Sequence, residues 1–194
     1  MELMQELRWH GRGGQGAKTA SILLAKIAIA TGKYIQAFPE YGPERMGAPM
    51  LAYTRISERP IHQHCQVEEA DIILILDPTL LRTVDVKGGT SPAAIFIINS
   101  IVKPVRLRQK LELKEGQNLY TVDADRISRE EIGRVFPNTP MMGAFCKIAP
   151  FMNENKFFEK AKEEFKKKFA HKKELIAGNI RALKRASREV AGFA

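Results

Sequence analysis

The hydrophobic positions of the chain follow two different periods, and each period predicts a different element. Aliphatic runs, and apolar residues that alternate with polar ones, predict strands over 7–10, 34–38, 50–56, 71–76, 94–99 and 118–122. Apolar residues at helical spacing predict helices over 17–30, 124–133, from 141 onwards, 155–169 and 173–190. Pro140 suits the first turn of a helix, because the backbone N–H that proline lacks has no hydrogen-bond partner within the helix there.

The order of these elements predicts the fold class. Strands that alternate with helices indicate an α/β fold, and we predict a three-layer α/β/α sandwich on a mainly parallel sheet. The stretch 50–62 is expected to run antiparallel to its neighbours, which would make the sheet mixed. No internal repeat or linker divides the sequence, so residues 1–194 are interpreted as one domain with a helical C-terminal part over about 154–194.

The composition is that of an ordinary soluble domain, with 44% hydrophobic and 27% charged residues. The longest apolar runs, 72–76 and 93–98, are far too short to cross a bilayer. The first residues carry acids where a signal peptide carries bases. We therefore expect a cytoplasmic protein with no membrane partner.

Cysteine and histidine are too scattered in the sequence to predict a metal site. The two cysteines, Cys65 and Cys146, cannot form the group of about four thiolates that holds an iron–sulfur cluster. We expect both thiols to be reduced and largely buried. His62 and His64 have the spacing of one strand face, but no third ligand lies near them in the sequence.

Positive charge is concentrated near the C-terminal end. The net charge is +9, and the residues from Glu154 onwards contribute +6 of it, with twelve lysines and arginines against six glutamates. Phenylalanines recur near helical spacing between these charges, at Phe157, Phe158, Phe165 and Phe169. That pattern favours an amphipathic helix docked on the fold, with an acidic protein partner and nucleic acid as the alternatives.

A glycine-rich loop separates the first predicted strand from the first predicted helix. It matches the pattern G-x-G-x-x-G and consists of Gly11, Arg12, Gly13, Gly14, Gln15 and Gly16. Amides at a helix N-terminus favour an anion, so a phosphate or a partner loop is one interpretation, and a purely structural tight turn is another. Dinucleotide binding is the third, but it requires an acid at the end of the second strand, and Glu40 lies beyond a proline there.

Three segments are long and unusual enough to carry a family resemblance. They read RWHGRGGQGAKTA at 8–20, AFPEYGPERMGAP at 37–49 and PNTPMMGA at 137–144. In this order they resemble the signatures of the gamma subunits of 2-oxoacid:ferredoxin oxidoreductases, and most nearly those of the pyruvate enzyme. The resemblance covers nearly the whole chain.

The resemblance implies a complex that oxidatively decarboxylates a 2-oxoacid to acyl-CoA and CO2 while it reduces ferredoxin. Pyruvate is the first candidate substrate, because the opening motif is closest to that of the pyruvate enzyme. Alpha, beta and delta partner subunits would carry thiamine diphosphate, Mg²⁺ and [4Fe–4S] clusters. This chain would bind no cofactor alone and would have no catalytic residue, since it lacks a cluster-binding cysteine array and a nucleophile paired with a base. Its role would be to assemble the complex and close the active site.

Coenzyme A at a subunit interface is the ligand expected for the glycine loop. Its phosphates would suit the loop amides together with Arg12, Lys18 or Arg45. The alternative for Glu44 and Arg45 is an ion pair that braces the loop.

A subunit that covers its partners needs an apolar docking patch, which we expect around Phe38, Met46, Met50 and Met141. The isolated chain would self-associate through it, and no nucleic-acid partner is expected. The runner-up function, based on the glycine pattern alone, is a single-chain NAD-dependent oxidoreductase of the Rossmann type.

Overall fold

The computed structural model of the chain describes residues 4–40, 46–170 and 172–192 and shows alternating strands and helices. The strands are β1 (Met4–Arg12), β2 (Tyr34–Pro39), β3 (Pro49–Ser57), β4 (Ala70–Ile75), β5 (Thr90–Asn99), β6 (Asn118–Val122) and β7 (Ala191–Gly192). The α-helices are α1 (Ala17–Ile29), α2 (Pro104–Leu111), α3 (Ala124–Ile132), α4 (Asn138–Ile148), α5 (Glu154–Lys168) and α6 (Lys173–Glu189). A short 3₁₀ helix spans Pro78–Arg82.

The strands form one mixed sheet in the order β2-β3-β1-β4-β5-β6-β7. Its centre is parallel, because β1, β4, β5 and β6 pair as parallel neighbours. β3 runs antiparallel to both β1 and β2, and β7 runs antiparallel to β6. The predicted α/β fold on a mainly parallel sheet is therefore confirmed, and the strand within 50–62 has the expected antiparallel direction.

Both faces of the sheet are covered, which explains why β4 and β5 are apolar along nearly their whole length. On one face, Trp9 and Leu74 belong to a core to which α1, α3, α4, α5 and α6 contribute, with α6 packed on α3, α4 and α5. On the opposite face, α2 and the connections that precede β4 and β5 cover Ile73 and Phe96. The three layers are therefore uneven, and the second face is the more lightly covered one.

Helix α4 is enclosed by the rest of the fold. Residues 139–146 are all buried, including Met141 and Phe145. A Cβ atom at Gly143 would lie 2.2 Å from the carbonyl oxygen of Leu183 on α6. Glycine at this position therefore permits a close crossing of the two helices, and the 137–144 signature reflects packing.

The predicted apolar patch is wrong in its membership. Met141 is fully buried, and Phe38 and Met50 are partly buried against the two cores. Met46 is 95% exposed. The exposed apolar side chains elsewhere include Ile101, which follows β5 and is 82% exposed. Among the described residues, these four side chains therefore do not form one exposed patch, because Met141 lies in the core.

The prediction of two buried thiols is wrong for one of them. Cys146 is buried on α4, whereas Cys65 is exposed in the connection between β3 and β4. His62 and His64 are exposed in the same connection and do not share a strand face, because β3 ends at Ser57. Across the described ranges, no three histidine, cysteine, aspartate or glutamate residues are grouped as they would be to hold a metal ion.

The C-terminal helices have the predicted amphipathic character. Phe157, Phe158 and Phe165 of α5 are buried in the core, and the lysines between them include exposed ones such as Lys162. The favoured interpretation of the basic stretch as a docked helix is therefore confirmed. Among the helices of the described residues, none is long and apolar enough to span a membrane.

Candidate functional site

The glycine loop lies where β1 ends and α1 begins, at the carboxyl edge of the parallel strands. Gly16 is the N-cap of α1 and has a φ of 84°, a left-handed conformation that favours glycine. A Cβ atom there would also lie 2.8 Å from Nδ2 of Asn138, which begins α4. Gly16 therefore combines a special backbone conformation with close packing of two helix N-termini.

Arg12 and Gln15 are both held by one carboxylate. Nε of Arg12 donates to Oδ2 of Asp77 at 3.1 Å, and Nε2 of Gln15 donates to the same oxygen at 2.8 Å. Oδ1 of Asp77 accepts from the backbone N and the hydroxyl of Thr79, at 2.9 and 2.6 Å. Although burial alone would raise the pKa of Asp77, the hydrogen bonds from Thr79 and Gln15 and the charge of Arg12 hold it below its usual range. Asp77 is thus an ionised anchor of the loop.

The loop is also paired with the segment that leads into β3. The backbone N of Gly13 donates to the carbonyl of Ala48 at 2.9 Å, and the N of Gly47 donates to the carbonyl of Gly13 at 3.1 Å. Nη1 of Arg12 donates to the carbonyl of Gly47 at 3.0 Å. The loop is therefore braced by backbone bonds and by Arg12. Glu44 and Arg45, for which an ion pair was the alternative, lie outside the described residues.

A cavity of about 800 Å³ opens beside the loop. One part of its lining, which we call the loop side, consists of Gly13, Gly14, Gly16, Lys18 and Thr19. The apolar part of the lining includes Met50, Leu51, Leu80 and Val84. Lys18 is exposed, and no side chain caps the described first turn of α1. The loop side therefore combines an ammonium group with the N-terminus of a 13-residue helix, which together favour an anion.

The remaining polar part of the lining, which we call the sheet side, consists of His10 and Glu40 on either side of Leu51. It lies on the lightly covered face of the sheet. Leu51 of β3 pairs with His10 of β1, and its carbonyl accepts from the backbone N of Glu40 at 3.0 Å. His10, Leu51 and Glu40 therefore lie side by side across neighbouring strands, and all three line the cavity. Glu40 accepts a hydrogen bond of 2.8 Å from the hydroxyl of Tyr53. Burial and this bond raise the pKa of Tyr53 to about 12, so the hydroxyl stays a donor.

His10 is 2% exposed, and its Nε2 atom is buried without a hydrogen-bond partner in the described parts of the chain. Burial, and then the charge of Arg8, lower the pKa of His10 to about 3, so the imidazole is neutral near pH 7. Arg8 donates through Nη2 to the carbonyls of Val86 and Gly88, at 3.1 and 2.6 Å. The sheet side was not predicted, although polar residues at positions 8 and 10 alternate with Leu7 and Trp9 and so had to share one face.

The structure brings together most of the predicted site residues. Gly13, Gly14, Gly16 and Lys18 line the cavity. Gly11 is buried at the end of β1, and Arg12 and Gln15 bind Asp77. Binding of a cofactor by these residues stays a prediction.

The strand order departs from the arrangement expected for dinucleotide binding. In a Rossmann unit, the strand that follows the first crossover helix is a parallel neighbour of the first strand. Here, the antiparallel strand β3 lies between β1 and β2. The acid that follows β2, Glu40, is engaged by Tyr53. The geometry therefore gives little support to the NAD-dependent alternative.

Comparison with solved structures identifies the same fold in proteins of one enzyme class. The crystal structure of pyruvate oxidoreductase subunit PORC from Thermotoga maritima matches with a TM-score of 0.85 and 37% identity over the whole of both chains. A 2-oxoglutarate:ferredoxin oxidoreductase from Magnetococcus marinus matches with a TM-score of 0.76 over 97% of this chain and 31% of that chain. At 18% identity, this second match shows the fold alone.

Comparison of sequences identifies the family. Pyruvate synthase subunit PorC of Thermotoga maritima is 42% identical over 185 residues, which are 95% of this chain and 94% of the relative. The common gamma subunit of the pyruvate/ketoisovalerate oxidoreductases of Pyrococcus furiosus is 39% identical over 190 residues, 98% of this chain and 99% of the relative. The model of the pyruvate ferredoxin/flavodoxin oxidoreductase family matches residues 6–189. The chain therefore belongs to the pyruvate ferredoxin/flavodoxin oxidoreductase family, among its gamma subunits.

Proposed function

We propose that this chain is the gamma subunit of a pyruvate:ferredoxin oxidoreductase. The complex would convert pyruvate and coenzyme A to acetyl-CoA, CO2 and a proton, and would pass the two electrons to ferredoxin. The names of the relatives from Thermotoga maritima and Pyrococcus furiosus support pyruvate as the substrate. Relatives named for both pyruvate and ketoisovalerate make branched-chain 2-oxoacids the second candidate class.

The chemistry of oxidation is assigned to partner subunits in this proposal. Alpha, beta and delta chains would hold thiamine diphosphate, Mg²⁺ and the [4Fe–4S] clusters, and ferredoxin would accept the electrons. The two cysteines of this chain are too few for a cluster; one lies in the connection between β3 and β4 and the other on α4. The gamma chain would assemble with these partners and close the active site.

The observation that carries a ligand-binding role is the cavity beside the glycine loop. Its volume of about 800 Å³ lies within the range of about 300–1,000 Å³ that is usual for small-molecule sites. Its loop side offers an ammonium group and a helix N-terminus, which suit the phosphates of coenzyme A. Arg45 is a further candidate contact on sequence grounds, as is Arg12, whose guanidinium bonds to Asp77 and Gly47.

The test is the coenzyme A dependence of the assembled complex. Because Lys18 is exposed, Lys18→Gln should remove one charge-assisted contact without harm to the fold, and the Michaelis constant for coenzyme A should rise about tenfold. Cluster reduction by pyruvate without coenzyme A should be unchanged. Lys162→Gln, which removes the same charge from an exposed position on α5, is the matched control. An unchanged coenzyme A dependence in assembled Lys18→Gln and Arg45→Ala complexes would refute the ligand-binding role.

A direct measurement separates this proposal from the NAD-dependent alternative. The proposal predicts that the isolated chain is colourless, has no oxidoreductase activity and leaves NADH fluorescence unchanged on titration. Saturable quenching or enhancement of NADH fluorescence would favour the alternative.

A further inference from the structure

A second cavity lies at the edge of the sheet opposite to the glycine loop. It has a volume of about 320 Å³ and opens where β1, β4 and β5 begin, beside the end of α4. Gln5, near the start of β1, lines it. From Gln5 to Arg12 at the end of the strand, β1 rises by about 23 Å, at about 3.3 Å per residue. This cavity is therefore separate from the one beside the glycine loop.

Gln5 is a polar residue at a position of β1 that faces the core. Alternate residues of a strand share a face, so Gln5 lies on the same face as Leu7 and Trp9, which are fully buried. The Oε1 atom of Gln5 is buried and has no hydrogen-bond partner in the described parts of the chain. Such atoms are rare in proteins, and each case calls for an explanation. A donor on a bound molecule would give this oxygen the partner that the chain lacks.

The end of α4 is a second source of hydrogen-bond acceptors. Ile148, Ala149 and Pro150 line the cavity, and α4 ends at Ile148. The last carbonyl groups of a helix have no partner within the helix, and they carry partial negative charge. Pro150 has no N–H, so it cannot donate to the carbonyl of Cys146 as the residue four positions on does in a continuing helix. This part of the lining therefore favours a positively charged donor.

Asp71 adds a carboxylate to the lining. Its Oδ2 atom accepts from the backbone N of Glu6 at 2.9 Å, which fixes the carboxylate at the edge of the sheet. Among the lining residues that the structure describes, none is basic. Lys147, the basic residue in the last turn of α4, is exposed and lies outside the lining. The lining thus combines oxygen acceptors with negative charge.

The rest of the lining is mainly aliphatic and includes Ile72, Ala93 and Ile95. The volume lies at the lower end of the range for small-molecule sites, which begins at about 300 Å³, and far exceeds that of a bare metal ion. A single carboxylate is also a poor set for Ca²⁺, which takes about six to eight oxygen ligands. A guanidinium group carries several N–H donors in one plane and serves several acceptors at once. Its alkyl stem would bury against the aliphatic part.

From these observations we infer that the cavity at the start of β1, β4 and β5 binds an alkylguanidinium group. The cation would lie between Gln5, the Asp71 carboxylate and the last carbonyls of α4, and its stem would contact Ile72 and Ile95. A free small molecule and an arginine side chain of a partner chain carry this same group. The inference does not rest on the coenzyme A role proposed for the glycine loop.

Titration of the isolated full-length chain with n-propylguanidinium chloride, followed by ¹H–¹⁵N NMR at constant ionic strength, tests the inference. The side-chain amide signals of Gln5 and the backbone amide signals of Ser91 and Ala149 should shift saturably. Propylurea has the same shape without the charge and should bind at least about tenfold more weakly. CaCl2 should leave these signals unchanged. Shifts that grow without saturation, equal binding of propylurea, or saturable shifts of these signals by Ca²⁺ would overturn the assignment.

Substitution of Gln5 separates a ligand-binding role from a structural one. Gln5→Met removes the unpartnered oxygen and keeps a side chain of similar length, so the melting temperature should be unchanged or higher. The affinity for propylguanidinium should fall about tenfold. A glutamine that serves only the fold would instead give a lower melting temperature and an unchanged affinity.

Three further variants keep the inference testable if Gln5→Met does not fold. Ala93 is exposed, so Ala93→Phe should fill the mouth of the cavity and abolish binding with an unchanged melting temperature. Asp71→Asn keeps an oxygen for the Glu6 amide but removes the charge, and it should weaken binding about tenfold. Asp85→Asn makes the same change away from this cavity and should leave binding unchanged. Undiminished binding in folded Ala93→Phe and Asp71→Asn would overturn the inference.

The assembled complex distinguishes the two sources of the guanidinium group. If the complex does not bind propylguanidinium and Ala93→Phe weakens its assembly, the group belongs to an arginine of a partner chain. If the complex binds propylguanidinium as tightly as the isolated chain does, the natural ligand is a free small molecule. Either result supports the site. Loss of propylguanidinium binding in a complex whose assembly Ala93→Phe leaves unchanged would count against both sources.

Discussion

Replacement of Asp77 by asparagine should release the glycine loop from its anchor. The two oxygens of this carboxylate have separate partners: Oδ1 accepts both bonds from Thr79, and Oδ2 accepts those from Arg12 and Gln15. An asparagine keeps the first oxygen and replaces the second with an amide NH2, which cannot accept from either donor. Asp77→Asn therefore removes two bonds selectively.

The loss can be estimated from these contacts. A hydrogen bond to a charged group contributes about 1.5 to 3 kcal/mol to stability. The Arg12 side chain is 27% exposed, so water replaces part of what is lost there. We expect the free energy of unfolding to fall by about 2 to 3 kcal/mol.

Asp85→Asn is the matched control for this measurement. Oδ1 of Asp85 alone accepts from the backbone N atoms of Lys87 and Gly88, both at 3.0 Å, and an asparagine retains that oxygen. Urea unfolding of both variants should show a loss below about 1 kcal/mol for Asp85→Asn. Equal losses in the two variants would refute the reasoning from separate oxygens.

The depressed pKa of Asp77 adds a pH dependence with a defined sign. Since the folded pKa lies below the unfolded value of about 3.9, the stabilisation is complete above that value and is lost as the pH falls through the folded pKa. The difference in stability between the wild type and Asp77→Asn should therefore shrink below about pH 4. A difference that stays constant down to pH 2 would show that ionisation of Asp77 is not its source.

Gly143→Ala should lower the free energy of unfolding by about 1 to 3 kcal/mol, because the new methyl group would overlap the Leu183 carbonyl; an unchanged thermal melt would contradict the close crossing. A thiol reagent should label Cys65 alone in the folded chain, since burial and the charge of Glu154 raise the pKa of Cys146 to about 12; labelling that persists in folded Cys65→Ser would contradict this. Arg185→Ala should lower the free energy of unfolding by about 1 kcal/mol at low salt and by less at high salt, because it breaks ion pairs with glutamates on both α3 and α6. The ion pair of Lys167 lies within α5, so a loss for Arg185→Ala no larger than that for Lys167→Ala would contradict a stabilising link between α3 and α6.

Elements with a strong local pattern could be predicted from the sequence. The period of two in β3 and the apolar runs of β4 and β5 place these strands to within a few residues, and Gly16 and Pro140 mark helix starts correctly. Helix α2 was missed because it has only eight residues and just three buried positions, which is too short for its period to stand out.

The candidate site was predictable only in part, for a physical reason. The loop side is continuous in sequence, so its glycines and Lys18 could be recognised. The bond between Arg12 and Asp77 joins positions 65 residues apart and depends on β4 being the neighbour of β1, which no local pattern encodes. Glu40 and His10 likewise meet the same cavity only because β3 lies between their strands.

The backbone bonds between Gly13 and the 46–49 segment make the loop and that segment a single mechanical unit. Gly13 both donates to Ala48 and accepts from Gly47, so a displacement of that segment carries the loop amides with it while these bonds hold. Met46, the neighbour of Gly47, is 95% exposed and lines the cavity. A partner surface that contacts Met46 would therefore also shift the loop amides at the anion end of the cavity, and the ligand affinity of this chain would depend on whether that partner is bound.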